Sequence, residues 1–184
     1  KYCNIGLTKS IDWKKHLRPI MILFAMSVTV TIYVSSDITI LGFLCEDYTV
    51  GIYSVSVKIY SVIKTILSSV LIVSIPRLSA LLGENNKSEF NIVASDIHST
   101  LLTVMLPAIT GIIVLKNQIV LLLSDATYMA ATSSLTLLSI AMFFCLGAWF
   151  WGQCILVPVK QEMTVFTITV ISAIVNIILN FMLI

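Results

Sequence analysis

Residues 51–83 read GIYSVSVKIYSVIKTILSSVLIVSIPRLSALLG. The stretch is too apolar for the surface helix of a soluble protein, yet Lys58 and Lys64 lie well inside it. Ser54, Lys58, Ser61, Thr65 and Ser68 recur at helical spacing, so they form one polar stripe, with Ile, Val and Leu over most of the remainder. A charge inside a membrane helix costs roughly 2.5 kcal/mol or more, and such residues usually face a bundle interior or a wet cavity. The stripe therefore predicts the wall of a polar interior, with Lys58, Ser61 and Lys64 as candidate substrate-binding residues. The alternative is that the lysines snorkel to a headgroup region. Lys58 lies only ~10 Å along the helix from Gly51 and snorkels easily, whereas Lys64 lies ~20 Å along the same axis.

The bulk numbers agree with a membrane setting. The chain has 184 residues, 58% of them hydrophobic and 11% charged, with a mean hydropathy of +1.03. Soluble domains carry about 25% charged residues, so a single soluble core is the wrong description. The predicted fold is all-α, a polytopic membrane helix bundle. A net charge of +2, with no basic cluster interleaved with aromatics, excludes nucleic acid as a partner. The polar opening residues lack the apolar core of a cleavable signal peptide. Cys3, Cys45, Cys145 and Cys154 form no CxxC pair or disulfide framework. His16 and His98 occur outside any HExxH pattern, so no metal and no cofactor is expected.

Residues 1–18 form a basic segment. Five spans follow at about 19–44, 51–83, 94–115, 128–156 and 163–184, each long enough for ~30 Å of hydrocarbon. Pro19 suits the first turn of the first span. There Thr29, Tyr33 and Asp37 stack at i, i+4 and i+8 beside Ser36, and Tyr33 and Asp37 are candidate site residues. Asp37 either faces the interior or lies near the far interface, since Leu44 follows closely. Residues 45–50 make a short acidic turn, Pro76 loosens the end of the second helix, and residues 84–90 are a polar loop. The polar first half of the third span projects beyond the bilayer, so His98 is given no function. Pro107 interrupts the middle of that span, and residues 117–124 read as interfacial. The fourth span carries the small-residue spacing Ala148-xxx-Gly152 and, near its end, Trp149 and Trp151 as an aromatic belt. The fifth carries Thr169, Ser172, Asn176 and Asn180 as a one-sided polar stripe, with Asn176 a candidate site residue.

Lys and Arg near the span ends set the orientation. Eight lie in the segment before Pro19, around Arg77–Lys87 and at Lys160, against Lys116 alone in the alternate segments. This predicts a cytoplasmic N-terminus.

Several strings together resemble the Wzx-type polysaccharide flippases of the MOP superfamily, relatives of the multidrug MATE transporters and of the lipid II flippase. They are SDITILGF at 36–43, VGIYSVSVKIY at 50–60, IPRLSALLG at 75–83, WGQCILVPVKQE at 151–162 and NIILNFMLI at 176–184. The resemblance runs in order over nearly the whole chain. It implies a MATE-like transporter of two helix bundles, with this stretch corresponding to the first five helices of the second bundle, a fragment or truncated product needing the remaining helices. It further implies transport of an undecaprenyl-pyrophosphate-linked oligosaccharide across the bacterial cytoplasmic membrane for capsule or O-antigen assembly. Lys58 and Lys64 sit on the helix where family members place basic residues toward the pyrophosphate. Asp37 resembles the acidic position where ion coupling is suspected. The physics agrees, because a dianionic headgroup does not cross hydrocarbon without paired charge and a polar wall.

A MATE-like multidrug or cation antiporter is the nearest alternative, although two cavity lysines would repel a cation. A membrane enzyme of lipid-linked sugar chemistry needs a carboxylate-rich cytoplasmic loop, and ENNKSEF offers only Glu84 and Glu89. A non-transporting truncated remnant is the third reading.

Overall fold

The computed structural model describes residues 13–183. Most of the basic segment, residues 1–12, and the last residue of the fifth span lie outside the described residues. Helix α1 spans Trp13–Leu44, α2 Asp47–Gly83 and α3 Lys87–Leu123; a short 3-10 turn, Ala126–Tyr128, leads to α4, Ala131–Trp149. The helix then widens into a π-helical segment, Phe150–Leu156, before α5, Glu162–Leu183. Five of these stretches are long and apolar enough to cross a membrane. In lipid a helix satisfies every backbone group within itself, which is why so apolar a chain folds this way.

Short links set the topology, because each reverses the chain and makes successive helices antiparallel. At the α2–α3 link Asn85 takes a left-handed backbone with φ 57°. Asn86 then caps α3: its side-chain oxygen accepts from the Glu89 N–H at 3.2 Å and its amide donates to Glu89 Oε2 at 2.8 Å. Lys160 makes the corresponding left-handed turn before α5, with φ 62°.

Helices α2 and α3 are each 37 residues long, or ~55 Å at 1.5 Å per residue. That exceeds the ~30 Å hydrocarbon thickness. The surplus falls at the Glu84–Asn86 end, where α3 carries Lys87, Glu89, Asn91, Ser95 and Asp96. At its other end α3 runs on through the stretch read as interfacial, so Lys116 is helical. Pro19 lies inside α1, not in its first turn, because the helix starts earlier, at Trp13. Pro76 and Pro107 likewise sit within continuous helices.

The packed core belongs to α2, α3 and α4. Leu67, Leu71 and Leu78 from α2 meet Leu101, Met105 and Val120 from α3 and Leu135, Met142 and Leu146 from α4, all buried. Lipid tails are as apolar as these side chains, so tight packing holds them, not exclusion from water. Ser56 is fully buried in this interface, and its hydroxyl donates to the Ala131 carbonyl of α4 at 2.8 Å. At Gly51 an added Cβ would come within 3.3 Å of the Tyr128 ring, so the glycine permits the close approach of the 3-10 turn. Gly152, from the small-residue spacing, approaches Val165 of α5, whereas Ala148 is exposed.

Helices α1 and α5 run in the same direction and form a second unit. They pack chiefly on each other, and among their described residues few are buried: Met26, Ile40, Val165 and Ala173. This pair leans on the α2–α3–α4 unit, and the join between the two units is where the polar residues collect.

Candidate functional site: a polar cleft between two helical units

Near one end of the join, Asp37 ties three helices together. Its Oδ1 accepts from the Asn180 side-chain amide at 2.6 Å, and its Oδ2 accepts from the Tyr53 hydroxyl at 3.2 Å. The same Asn180 amide nitrogen reaches Asn176 Oδ1 at 3.3 Å, and Ser36 Oγ donates to that oxygen at 3.4 Å while also bonding the Tyr33 carbonyl at 2.7 Å. The network therefore joins α1, α2 and α5. Asp37 and Asn180 lie near the C-terminal ends of parallel helices and Tyr53 near the start of antiparallel α2, so all three share one depth. Both carboxyl oxygens meet protein donors, which is how a costly acidic group is held in a membrane helix.

Deeper along the join, Lys64 places its ammonium over the Tyr60 ring, 5.7 Å from the centroid. Tyr33 of α1 lies within electrostatic reach of Lys64, Asp37 and Cys145 of α4, and Tyr60 within reach of Cys145, Tyr33 and Tyr53. Tyr53, Tyr60 and Lys64 stand at i, i+7 and i+11 and so share one face of α2. Through Tyr53 that face meets α1. Toward the other end the join opens into a cavity of about 310 Å³ between Met26, Ser27 and Thr31 of α1, Trp149 at the end of α4 and Gln153 of the π-helical segment. The Asp37 network thus ties the units at one end of the join, and the cavity opens farther along α1.

The predicted site residues separate accordingly. Asp37, Tyr33, Asn176 and Lys64 come together along the cleft. Lys58 and Ser61 do not join them: both are exposed on the side of α2 opposite its buried residues Ser56, Ile59, Leu67 and Leu71. Their stripe also supplies its own hydroxyl partners, since Thr65 Oγ1 donates to the Ser61 carbonyl at 2.8 Å and Ser68 Oγ to the Thr65 carbonyl at 3.0 Å. Tyr53, Tyr60 and Asn180 are the site residues that sequence reasoning left out. The available signal was the tyrosine–tyrosine–lysine spacing on α2, hidden because tyrosine passes as apolar in a hydropathy reading. Away from the cleft, Lys116 Nζ of α3 donates to Thr136 Oγ1 of α4 at 3.1 Å.

Chemically, the cleft offers one cation, one carboxyl, phenol hydroxyls and side-chain amides between two units that meet over a small area. Among the described residues no group of three His, Cys, Asp or Glu side chains could hold a metal ion.

No curated protein and no solved structure matches the chain. The sequence profile of the MatE family, within the MOP superfamily, matches residues 20–182, from the first turns of the α1 span almost to the end of α5. The chain belongs to the MatE family of multi-pass membrane transporters.

Proposed function

We propose that this chain is part of a flippase that moves polyprenyl-pyrophosphate-linked oligosaccharide across the bacterial cytoplasmic membrane for polysaccharide biosynthesis. The observation that carries the reading is Lys64: a cation on the face of α2 that also bears Tyr53 and Tyr60, half-buried and seated over the Tyr60 ring at 5.7 Å. A pyrophosphate headgroup needs a positive partner wherever water is excluded. Lys64 supplies a compact point charge with three donors, and the tyrosines supply hydroxyls for the first sugars. Asp37 serves a different step. Its network closes the cleft across α1, α2 and α5, and protonating or recruiting a cation to its carboxyl would withdraw it from Tyr53 and Asn180 and let the two units part. The remaining helices of the transporter would form the opposite wall.

One observation favours a second reading. Asp37 is the acidic group of the cleft, and in a MATE-like cation antiporter it would bind the cationic substrate directly. Transport by the reconstituted protein separates the two. For the flippase, a fluorescent pyrophosphate-linked oligosaccharide should become protected from a membrane-impermeant quencher, while efflux of a cationic dye stays at the protein-free rate. Dye efflux without lipid protection would replace this reading with the antiporter.

A further inference from the structure

The transport cleft leaves a second cavity unused. It measures about 320 Å³, within the size range of small-molecule sites, and opens on the outer side of the bundle between α3 and the π-helical segment. Asn91, Ser95 and His98 line one wall and Phe150, Trp151 and Ile155 the other. The His98 ring lies 5.0 Å from that of Phe150 at a 33° tilt and 6.4 Å from that of Trp151. Phe150 is buried, but Trp151 is 57% exposed. A π-helical segment within a helix frequently marks a functional position, and here it sets two aromatic rings against one histidine.

Depth identifies the occupant. From Ala131, at the opposite membrane face, to Phe150 is ~28 Å of helix, close to the ~30 Å hydrocarbon thickness. The aromatic pair therefore sits where the acyl region ends, the level at which tryptophan is favoured. Beyond it, toward the Glu84–Asn86 turn, α3 presents Lys87, Asn91, Ser95 and His98 on one helical stripe at i, i+4, i+8 and i+11. The wall thus changes from aromatic to hydrogen-bond donors to a positive charge as it leaves the bilayer. Of the acids on this side, Glu89 is tied to Asn86 at 2.8 Å, Asp96 falls off the stripe, and neither they nor Glu84 and Glu162 line the cavity.

We propose that this cavity binds one anionic phospholipid of the leaflet on the Glu84–Asn86 side. The phosphate accepts from the His98 imidazole, the Ser95 hydroxyl and the Asn91 amide, Lys87 complements the charge at the mouth, and an acyl chain lies along Trp151. Charge and amphiphilic order together select this occupant, since a neutral apolar ligand would leave the donors unpaired and a soluble anion would leave the aromatic wall uncovered.

Trp151 reports on the site directly. The chain holds three tryptophans, so Trp13→Phe and Trp149→Phe leave it as the single indole. The protein is reconstituted in phosphatidylcholine containing a small, equal fraction of either brominated phosphatidylglycerol or brominated phosphatidylcholine. The anionic lipid should quench Trp151 about fivefold more effectively, the scale of one basic contact at a membrane surface. Lys87→Ala, at an exposed position that leaves packing intact, should remove most of that preference, and His98→Ala should do the same. Equal quenching by the two lipids, or a preference that survives Lys87→Ala and His98→Ala, would overturn the proposal.

Discussion

Asn180 donates its side-chain amide to Asp37 at 2.6 Å, a bond between residues 143 positions apart that fastens α5 to α1. Tyr53 fastens α2 to the same carboxyl at 3.2 Å. Hydrogen bonds between membrane helices average about 0.6 kcal/mol and reach about 1.7. Asn180→Ala should therefore lower unfolding stability by ~1 kcal/mol and Tyr53→Phe by somewhat less, measured by denaturant titration in mixed micelles. In a Tyr53→Phe, Asn180→Ala background, Asp37→Ala should cost little more, because the carboxyl has already lost its partners. An undiminished penalty there would show that Asp37 is held by something else.

Ser56 is a test of the packing between α2 and α4. It has no exposed surface, and its hydroxyl reaches the Ala131 carbonyl at 2.8 Å. Ser56→Ala keeps the small volume and should cost about 0.6 kcal/mol, the usual weight of one such bond in a membrane. Ser56→Leu forces extra volume into a closed contact and should cost about 1–3 kcal/mol. Equal stability of the two variants would contradict the close approach of these helices.

Much of this arrangement is legible from residue type and spacing alone. The helices announce themselves by sustained apolar runs, and Asp37 and Asn176 are each recognisable as polar groups that lipid leaves unsatisfied, although their shared network through Asn180 is not. What escapes is the rotation of α2. Lys58 and Lys64 look equivalent in a hydropathy reading, yet the buried positions Ser56, Ile59, Leu67 and Leu71 turn Lys58 outward, while the Tyr53–Tyr60–Lys64 face meets α1. Phase against unseen neighbours decides this, and a single stripe does not contain it. The π-helical segment is invisible for a related reason: Phe150–Leu156 has no distinguishing composition, and it packs against α2, α5 and α3, neighbours that its own sequence does not show.

Orientation gives a third prediction. The Lys and Arg asymmetry places the α1–α2 turn outside the cell and the α2–α3 turn inside. Reporter fusions at Asp47 and at Asn85 should give periplasmic-type activity at the first and cytoplasmic-type activity at the second. The same sidedness at both would break the five-span topology.

Lys64 carries the central claim, that the cleft holds a pyrophosphate, and Lys58 is its internal control. Polysaccharide export should be measured in a flippase-deficient cell expressing this chain joined to the remaining helices of the transporter, or its variants, with membrane-inserted protein quantified alongside. Lys64→Ala should reduce export about tenfold or more, the weight of one hydrogen bond to a charged group at ~1.5–3 kcal/mol. Lys64→Arg should retain a substantial part, since a positive charge with several donors remains. Lys58→Ala should stay close to the unsubstituted protein, because that side chain is exposed away from the cleft. Normal export by membrane-inserted Lys64→Ala protein, or a larger loss from Lys58→Ala than from Lys64→Ala, would contradict the account.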